Sequence, residues 1–177
     1  RFADMGDKVF AVNGYDAPIY WDGAAASFST FSGANIPSTA EGLFVWQNRL
    51  WFFCTTEAAT LYPMRVRASD NGDPSTFSDA TAFADVDGAF GGRFLTCVYP
   101  DRQNYAYAFC NPKGVYILIW DATATTWSGK LTIETVTQKW GVLAGKSVDL
   151  IGSIFVFYSS DQIIEGWDYR DVTQARR

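Results

Sequence analysis

The feature that most constrains this chain is a motif that recurs about every 48 residues. Three apolar stretches close on a Trp-Asp pair, and they end at Asp22, Asp121 and Asp168. The first two are two periods apart, and Asp70 stands between them, so the intervals become 48, 51 and 47 residues. A repeat of this length indicates a fold built from similar supersecondary units.

The segment that ends at Asp70 lacks the tryptophan but has the pattern of a strand. Its apolar residues are Met64, Val66 and Ala68, and its intervening polar residues are Arg65, Arg67 and Ser69. Such alternation predicts a half-buried strand, with the apolar side chains inward and the polar side chains toward solvent.

Each unit contains further apolar runs separated by turn residues. Central strands are predicted at residues 9–12, 50–54, 105–109 and 154–158, and leading strands at 43–46, 94–99 and 148–151. The segment after the aspartate supplies a fourth strand, as at residues 26–31 or 81–86. The first unit lacks most of its leading strand, because residues 1–5 alone precede the Gly6-Asp7 turn.

Four antiparallel strands in about 48 residues are the size of one propeller blade. We therefore predict an all-β fold, a β-propeller or propeller fragment, with approximate units at residues 1–35, 36–86, 87–140 and 141–177. The aromatic content of 17% favours sheet as well. The pattern starts and stops within a unit, so we expect an excerpt of a longer chain, or else a small ring whose last blade uses both termini.

Two segments fit the repeat poorly. Residues 24–26 are the best helix candidate, confined to about one turn by the glycine before them and the Ser/Thr-rich sequence after them. Residues 132–140 are β-branched and polar enough to be strand or loop, and the repeat does not place them.

The residue inventory argues against catalysis. The chain has no histidine, which excludes Ser-His-Asp and Cys-His catalysis and His-based zinc sites. Its cysteines, Cys54, Cys97 and Cys110, lie in apolar runs without Cys-x-x-Cys spacing, so we predict buried free thiols. We predict no enzyme activity, no catalytic, cofactor-binding or metal-binding residues, and no cofactor.

The carboxylates have a structural explanation. Glycosidases need two carboxylates flanking one bond, whereas the four repeat aspartates would be spread around a ring, each accepting backbone N–H bonds at a turn. Residues 70–73 and 85–88 resemble calcium loops but lack the bidentate glutamate, so ordinary turns are predicted. The cluster of Gly88, Gly91 and Gly92 is followed by no Lys-Ser/Thr pair, so no phosphate loop is predicted.

The recurring tryptophans, Trp21, Trp120 and Trp167, share one repeat position, which favours packing between blades over a ligand platform. Trp46 and Trp51 lie in runs predicted to be core. The net charge of −5 argues against electrostatic binding of nucleic-acid phosphates, which requires a positively charged surface. The apolar run at residues 151–158 is far shorter than the roughly 20 residues of a membrane-spanning helix.

Two motifs resemble a known family. Residues 46–53 read Trp-Gln-Asn-Arg-Leu-Trp-Phe-Phe, and residues 67–77 read Arg-Ala-Ser-Asp-Asn-Gly-Asp-Pro-Ser-Thr-Phe. This pair resembles the propeller-containing tail proteins of tailed bacteriophages, and the resemblance covers roughly residues 8–80.

The resemblance implies a structural virion protein of the tail or head-to-tail connector, such as a nozzle or stabilisation ring, that contributes to a DNA-conducting channel. It implies a homo-oligomeric ring, neighbouring tail, portal or adaptor proteins as partners, and genome DNA passing without sequence-specific binding. The location would be the virion tail or neck, after assembly in the host bacterial cytoplasm. Two alternatives remain open, a carbohydrate-binding propeller (an adhesin or lectin-like protein) and a glycosidase-like propeller.

Overall fold

A computed structural model describes residues 1–31, 33–87, 93–101 and 104–168. These residues form four antiparallel sheets, the first three with four strands each and the last with three. The strands are β1 Phe2–Met5, β2 Lys8–Ala11, β3 Ile19–Trp21, β4 Ser29–Thr30, β5 Thr39–Trp46, β6 Arg49–Glu57, β7 Thr60–Ala68, β8 Phe83–Asp85, β9 Phe94–Pro100, β10 Tyr105–Asn111, β11 Val115–Trp120, β12 Leu131–Thr137, β13 Asp149–Ile151, β14 Ile154–Tyr158 and β15 Ile164–Asp168.

Each sheet is a meander in which sequential strands are neighbours: β1 to β4, β5 to β8, β9 to β12 and β13 to β15. The first strands of successive sheets lie side by side, since β1 contacts β5 and β5 contacts β9. This places the first strands of the first three sheets innermost. The connections between first and second strands, and between third and fourth strands, therefore lie at one common end of the molecule.

The core lies between successive sheets. Phe10 of the first sheet packs with Phe52 of the second in one cluster. Trp51, on the opposite face of β6, packs with Trp120 of the third sheet, and a third cluster joins the third and fourth sheets. The interior sheets thus bury both faces, which explains why their strands are rich in aromatic and branched residues.

The predicted all-β, blade-like fold is confirmed, and several local expectations need correction. The leading strand of the first sheet is present as β1, which pairs with β2 from Phe2 opposite Ala11 to Met5 opposite Lys8. The N-terminal strand therefore belongs to the first sheet, so in the described residues the last sheet is not assembled from both termini. Residues 132–140, which the repeat did not place, contribute most of β12, the fourth strand of the third sheet.

The prediction of a half-buried strand before Asp70 was wrong. Arg65, Arg67 and Ser69 are 8%, 5% and 0% exposed, as deeply buried as the apolar residues between them. β7 lies inside a sheet that is covered on both faces, so its polar side chains need partners within the protein.

Helix is scarce, as expected, but lies elsewhere. Residues 24–26 form bends, and the one α-helix of the described residues is α1, Trp127–Lys130, directly before β12. A 3₁₀ helix, Gly145–Ser147, precedes β13.

Candidate functional site

The repeat aspartates Asp22, Asp70 and Asp121 each follow the third strand of their sheet, at the end of the molecule that carries the connections between third and fourth strands. Asp22 Oδ1 accepts the backbone N–H groups of Ala24 and Ala25, at 3.0 and 2.9 Å. Asp121 Oδ1 accepts the backbone N–H and the hydroxyl of Thr123, at 2.8 and 2.6 Å. Hydrogen bonds from Ala25 and then Ala24 lower the pKa of Asp22, and those from Thr123 lower the pKa of Asp121.

Asp70 fulfils the same role over a longer connection. Its two carboxylate oxygens accept the backbone N–H and the hydroxyl of Ser78, at 3.2 and 2.6 Å. Asp168 is the last residue of β15 and lies opposite Ile154. Three of the four carboxylates are therefore occupied in their own turns, as predicted, and each sits on a different sheet.

The two motifs that carry the bacteriophage resemblance, residues 46–53 and 67–77, are joined by hydrogen bonds at this end of the molecule. We call this pair of segments the brace. Gly72 N–H donates to Asn48 O at 2.8 Å, and Ser69 N–H donates to Leu50 O at 2.8 Å. Arg49 Nη1 donates to Ser69 O at 2.5 Å. The Gly-Asp-Pro turn is thereby tied to the β5–β6 connection, and the two motifs make a single structural unit.

The apolar end of the same brace enters the core between the first two sheets. Phe77 is buried and its ring stacks on Phe52, with 5.4 Å between ring centroids. Asn35 Nδ2 donates to Phe77 O at 3.0 Å. The brace therefore fixes the long connection after β7 against the sheet.

The recurring tryptophans do not share one environment. Trp120 packs against Trp46 and Trp51 of the second sheet, and the ring of Trp167 lies 5.4 Å from that of Tyr107 in the third sheet, centroid to centroid. Packing between sheets is confirmed for these two positions, and core burial is confirmed for Trp46 and Trp51.

Trp21, by contrast, is 37% exposed, so the expectation of packing between sheets was wrong at this position. Its indole N–H donates to Ala25 O at 2.7 Å in its own turn. The difference arises because Trp21 belongs to the first sheet and points away from the second.

The two segments for which ordinary turns were predicted, residues 70–73 and 85–88, differ in the contacts of their described residues. Asp73 accepts hydrogen bonds from Ser75 and Thr76, the turn predicted for the first loop. In the second, Asp85 pairs with Arg65 at 2.8 Å, and Asp87 pairs with Arg93, which is an ion-pair arrangement instead of the expected turn. The described residues include no group of three or more metal-ligating side chains. Gly88, Gly91 and Gly92 lie outside the described residues.

An ion-pair network on β6, β7 and β8 was not anticipated from the sequence. Glu57 accepts hydrogen bonds from Arg67 Nε and Nη2 at 2.8 Å each, and from Arg65 Nη1 at 3.2 Å. Arg65 also forms two bonds to Asp85, at 2.8 and 2.9 Å. The guanidinium of Arg65 lies over the Phe83 ring at 3.9 Å. Arg65 and Arg67 alternate with apolar residues along β7. This alternation indicates buried arginines only when both faces of the strand are known to be covered.

The network of Glu57, Arg65, Arg67 and Asp85 stabilises the folded protein. Burial opposes the ionisation of Glu57, but hydrogen bonds and charge from Arg67, with further contributions from Thr55 and Arg65, outweigh it and lower the pKa of Glu57. A bidentate guanidinium-carboxylate pair is among the strongest hydrogen-bonded contacts in proteins.

A cleft opens beside the brace, between the second and third sheets. It has a volume of about 420 Å³ and is lined by Gln47, Asn48, Arg49, Asn71, Trp120, Ala122 and Lys130. Its walls are the β5–β6 connection, the turn after β7 and the segment that joins β11 to β12. The sequence did not indicate this cleft, because its lining comes from three separate connections.

The three cysteines are free and buried, as predicted. Burial raises the pKa of Cys54 and that of Cys110 to about 12, and it raises the pKa of Cys97 as well. The thiolate is the reactive form of cysteine, so these side chains are poor nucleophiles near neutral pH.

We therefore expect the folded protein to react with a disulfide reagent such as dithionitrobenzoate at pH 8 on the order of 100-fold more slowly than the unfolded protein. Release of the chromophore, followed with and without guanidinium chloride, measures this difference. All three thiols should react after unfolding. A thiol that titrates within minutes in the folded protein would contradict the burial described above.

The fold defines a chain of the β-propeller class, an arc of successive antiparallel sheets joined through their first strands. The structure of YCF48 from Cyanidioschyzon merolae is similar to it, with a TM-score of 0.57 over 96% of this chain and 13% sequence identity. The chain spans 50% of that protein's length. This similarity concerns the fold alone.

No protein-family model and no curated protein matches the sequence. Among the described residues, none of the helices is long and apolar enough to cross a membrane.

Proposed function

We propose that this chain is a structural, non-enzymatic component of a bacteriophage tail or head-to-tail connector, which self-associates into a ring around a DNA channel. The observation that carries the proposal is a set of exposed apolar side chains on the fourth sheet, among the residues that the structure describes. Ile151, Ile154 and Ile164 are 65%, 43% and 78% exposed there. Ile151 lies opposite Ile154 at one end of β14, and Ile164 lies opposite Tyr158 at its other end, with Val156 between them on the same face.

The other end of the arc has a similar surface. Phe2 and Trp21 are 73% and 37% exposed on the first sheet, on the face turned away from the second sheet. Two different apolar faces at opposite ends suit head-to-tail contacts between identical subunits, the geometry that generates closed rings. Exposed contiguous apolar patches mark interaction surfaces in soluble proteins.

The assignment to a virion is supported by the motif pair at residues 46–53 and 67–77. In this chain the pair is a hydrogen-bonded brace, so its spacing in sequence reflects one structural unit. The net charge of −5 is compatible with a channel wall that does not retain the phosphate backbone. Neighbouring tail, portal or adaptor proteins and passing genome DNA are the partners we propose.

The assembly is tested with native mass measurement of the purified protein. We expect a closed oligomer, and we expect Ile154→Lys to shift the mass toward the monomer, because a charge on the apolar face must be desolvated at the contact. Ile163→Lys is the matched control, since Ile163 is 54% exposed in the connection between β14 and β15, outside the paired strands.

The virion role is tested by mass spectrometry of purified particles, which should contain the protein in a fixed ratio to the portal. A stable monomer that is absent from particles would overturn the proposal. If Ile163→Lys dissociated the oligomer as fully as Ile154→Lys, the contact would not be specific to the strand face that carries Ile154.

A further inference from the structure

We propose that the cleft between the second and third sheets binds a small acidic sugar, a ligand that carries one carboxylate and several hydroxyl groups. This inference goes beyond the proposed structural role and does not depend on it. The cleft volume of about 420 Å³ falls within the roughly 300–1,000 Å³ typical of small-molecule sites.

The charge of the lining points to an anion. Arg49 and Lys130 both line the cleft, and none of its lining side chains is a carboxylate. Neither cation forms an ion pair within the described residues. Asp70 and Asp79 act on Arg49 through space, and Asp121 lies within electrostatic range of Lys130. In a chain of net charge −5, this is a local site where two cations face one cavity.

Arg49 is held in a partly dehydrated position. Its guanidinium lies 5.2 Å from the ring centroid of Trp127 and 5.8 Å from that of Trp120. Its Nε is buried and has no hydrogen-bond partner among the described residues. Arg49 as a whole is half-buried, its Nη1 donates to Ser69 O, and no carboxylate pairs with it among the described residues. A bound carboxylate would supply the missing counter-charge to its guanidinium.

Lys130 reaches the same region from the third sheet. Its ammonium donates to Ala124 O at 2.7 Å and lies 5.6 Å from the Trp120 centroid. An ammonium has three donors, so this contact leaves capacity for an oxygen of the ligand.

The amide side chains of the cleft are suited to hydrogen bonds with the hydroxyl groups of the proposed sugar. Asn48 Nδ2 donates to Asn71 Oδ1 at 3.3 Å, and Gln47 Nε2 donates to Asn104 Oδ1 at 3.5 Å, both long hydrogen bonds. Amides both donate and accept, which matches hydroxyl groups, whereas a simple inorganic anion would need donors alone.

The walls are organised before any ligand binds. Gln47 and Asn48 both have φ of 54°, a left-handed conformation that non-glycine residues adopt rarely. The hydrogen bond from Gly72 N–H to Asn48 O, 2.8 Å long, ties this connection to the turn after β7. Rigid walls lower the entropic cost of binding.

The test is calorimetric titration of the full protein with sodium glucuronate, with glucose and inorganic phosphate as the other two probes. We expect glucuronate to bind and glucose to bind at least about tenfold more weakly, because hydrogen bonds to a charged group are stronger than those between neutral groups. Quenching of tryptophan fluorescence by glucuronate should accompany binding, since Trp120 lines the cleft.

Lys130→Gln should weaken glucuronate binding about tenfold without changing the midpoint of thermal unfolding, and Asn71→Ala should weaken it in the same direction. Lys139→Gln is the matched control, because Lys139 is exposed and does not line the cleft. Equal affinity for glucose and glucuronate would overturn the proposal, as would glucuronate binding that survives both cleft variants. Phosphate binding as tight as glucuronate would show an anion site without sugar recognition and would also overturn it.

Discussion

Replacing Trp51 with alanine is expected to lower the free energy of unfolding by about 3–5 kcal/mol, the range for removing a large aromatic side chain from a core. Trp51 is 0% exposed and lies in the cluster between the second and third sheets. Its ring lies 5.6 to 6.1 Å from those of Trp46, Trp120 and Trp127. Its indole N–H donates to Trp46 O at 2.9 Å, so the substitution also removes a buried hydrogen bond.

Urea unfolding followed by far-ultraviolet circular dichroism measures this loss. Tyr15→Ala is the control, because it removes a large aromatic side chain from a position that is 86% exposed, in the connection between β2 and β3. We expect the control to cost roughly 1 kcal/mol or less, in keeping with surface substitutions. Equal losses at the two positions would contradict the contrast in burial between them.

Replacing Glu57 with glutamine is expected to cost about 3 kcal/mol at pH 7, because Arg67 would keep its charge in a buried position without its carboxylate partner. Arg67 is 5% exposed, and Glu57 accepts two of its hydrogen bonds at 2.8 Å. Arg65 keeps its ion pair with Asp85 in this variant, so Arg67 is the arginine that loses its carboxylate partner. Glu134→Gln, at an exposed position on β12, is the control and should be nearly neutral.

The same substitution has a defined pH dependence. The pKa of Glu57 is lowered in the folded protein, so its ionised form stabilises the fold above the unfolded pKa of about 4.5. That contribution is lost as the pH falls through the lowered folded value. The difference in unfolding free energy between the original protein and Glu57→Gln should therefore be constant above about pH 5.5 and shrink below about pH 4.5.

Unfolding curves at intervals between pH 3 and pH 7 measure that difference. Comparing the two proteins cancels the contributions of other carboxylates with lowered pKa values, such as Asp73 and Asp79. A difference that stayed constant down to pH 3 would mean that Glu57 is not the titrating partner of the arginines.

The repeat could be found without coordinates because strand spacing and turn chemistry are local. The turn at Asp121, for example, needs a carboxylate followed two residues later by a backbone N–H, and both lie within one short segment. The same reasoning located the fourth strands as β4 and β8. The segment that became β12 was left as strand or loop because its alternation is interrupted after Glu134, where the pairing register with β11 shifts around Val136.

The candidate cleft could not be predicted from local sequence patterns. Gln47, Asn71 and Lys130 come from different connections, and nothing in their local sequence indicates that they converge. The ion pairs of Glu57 with Arg65 and Arg67 were hidden for a related reason. Alternating arginines on a strand are typical of a solvent-facing edge, and only a second covered face turns them into a buried network.

The number of units, the turns at Asp22, Asp70 and Asp121, and the all-β character of the chain follow from local sequence patterns. The burial of Arg67 and the exposure of Trp21 depend on the packing of the sheets, and the repeat and the alternation suggested the reverse for both. The physical reason is that alternation assigns a side chain to one face of a sheet, whereas burial depends on whether another sheet covers that face. That covering is set by the order in which the sheets pack around their innermost strands.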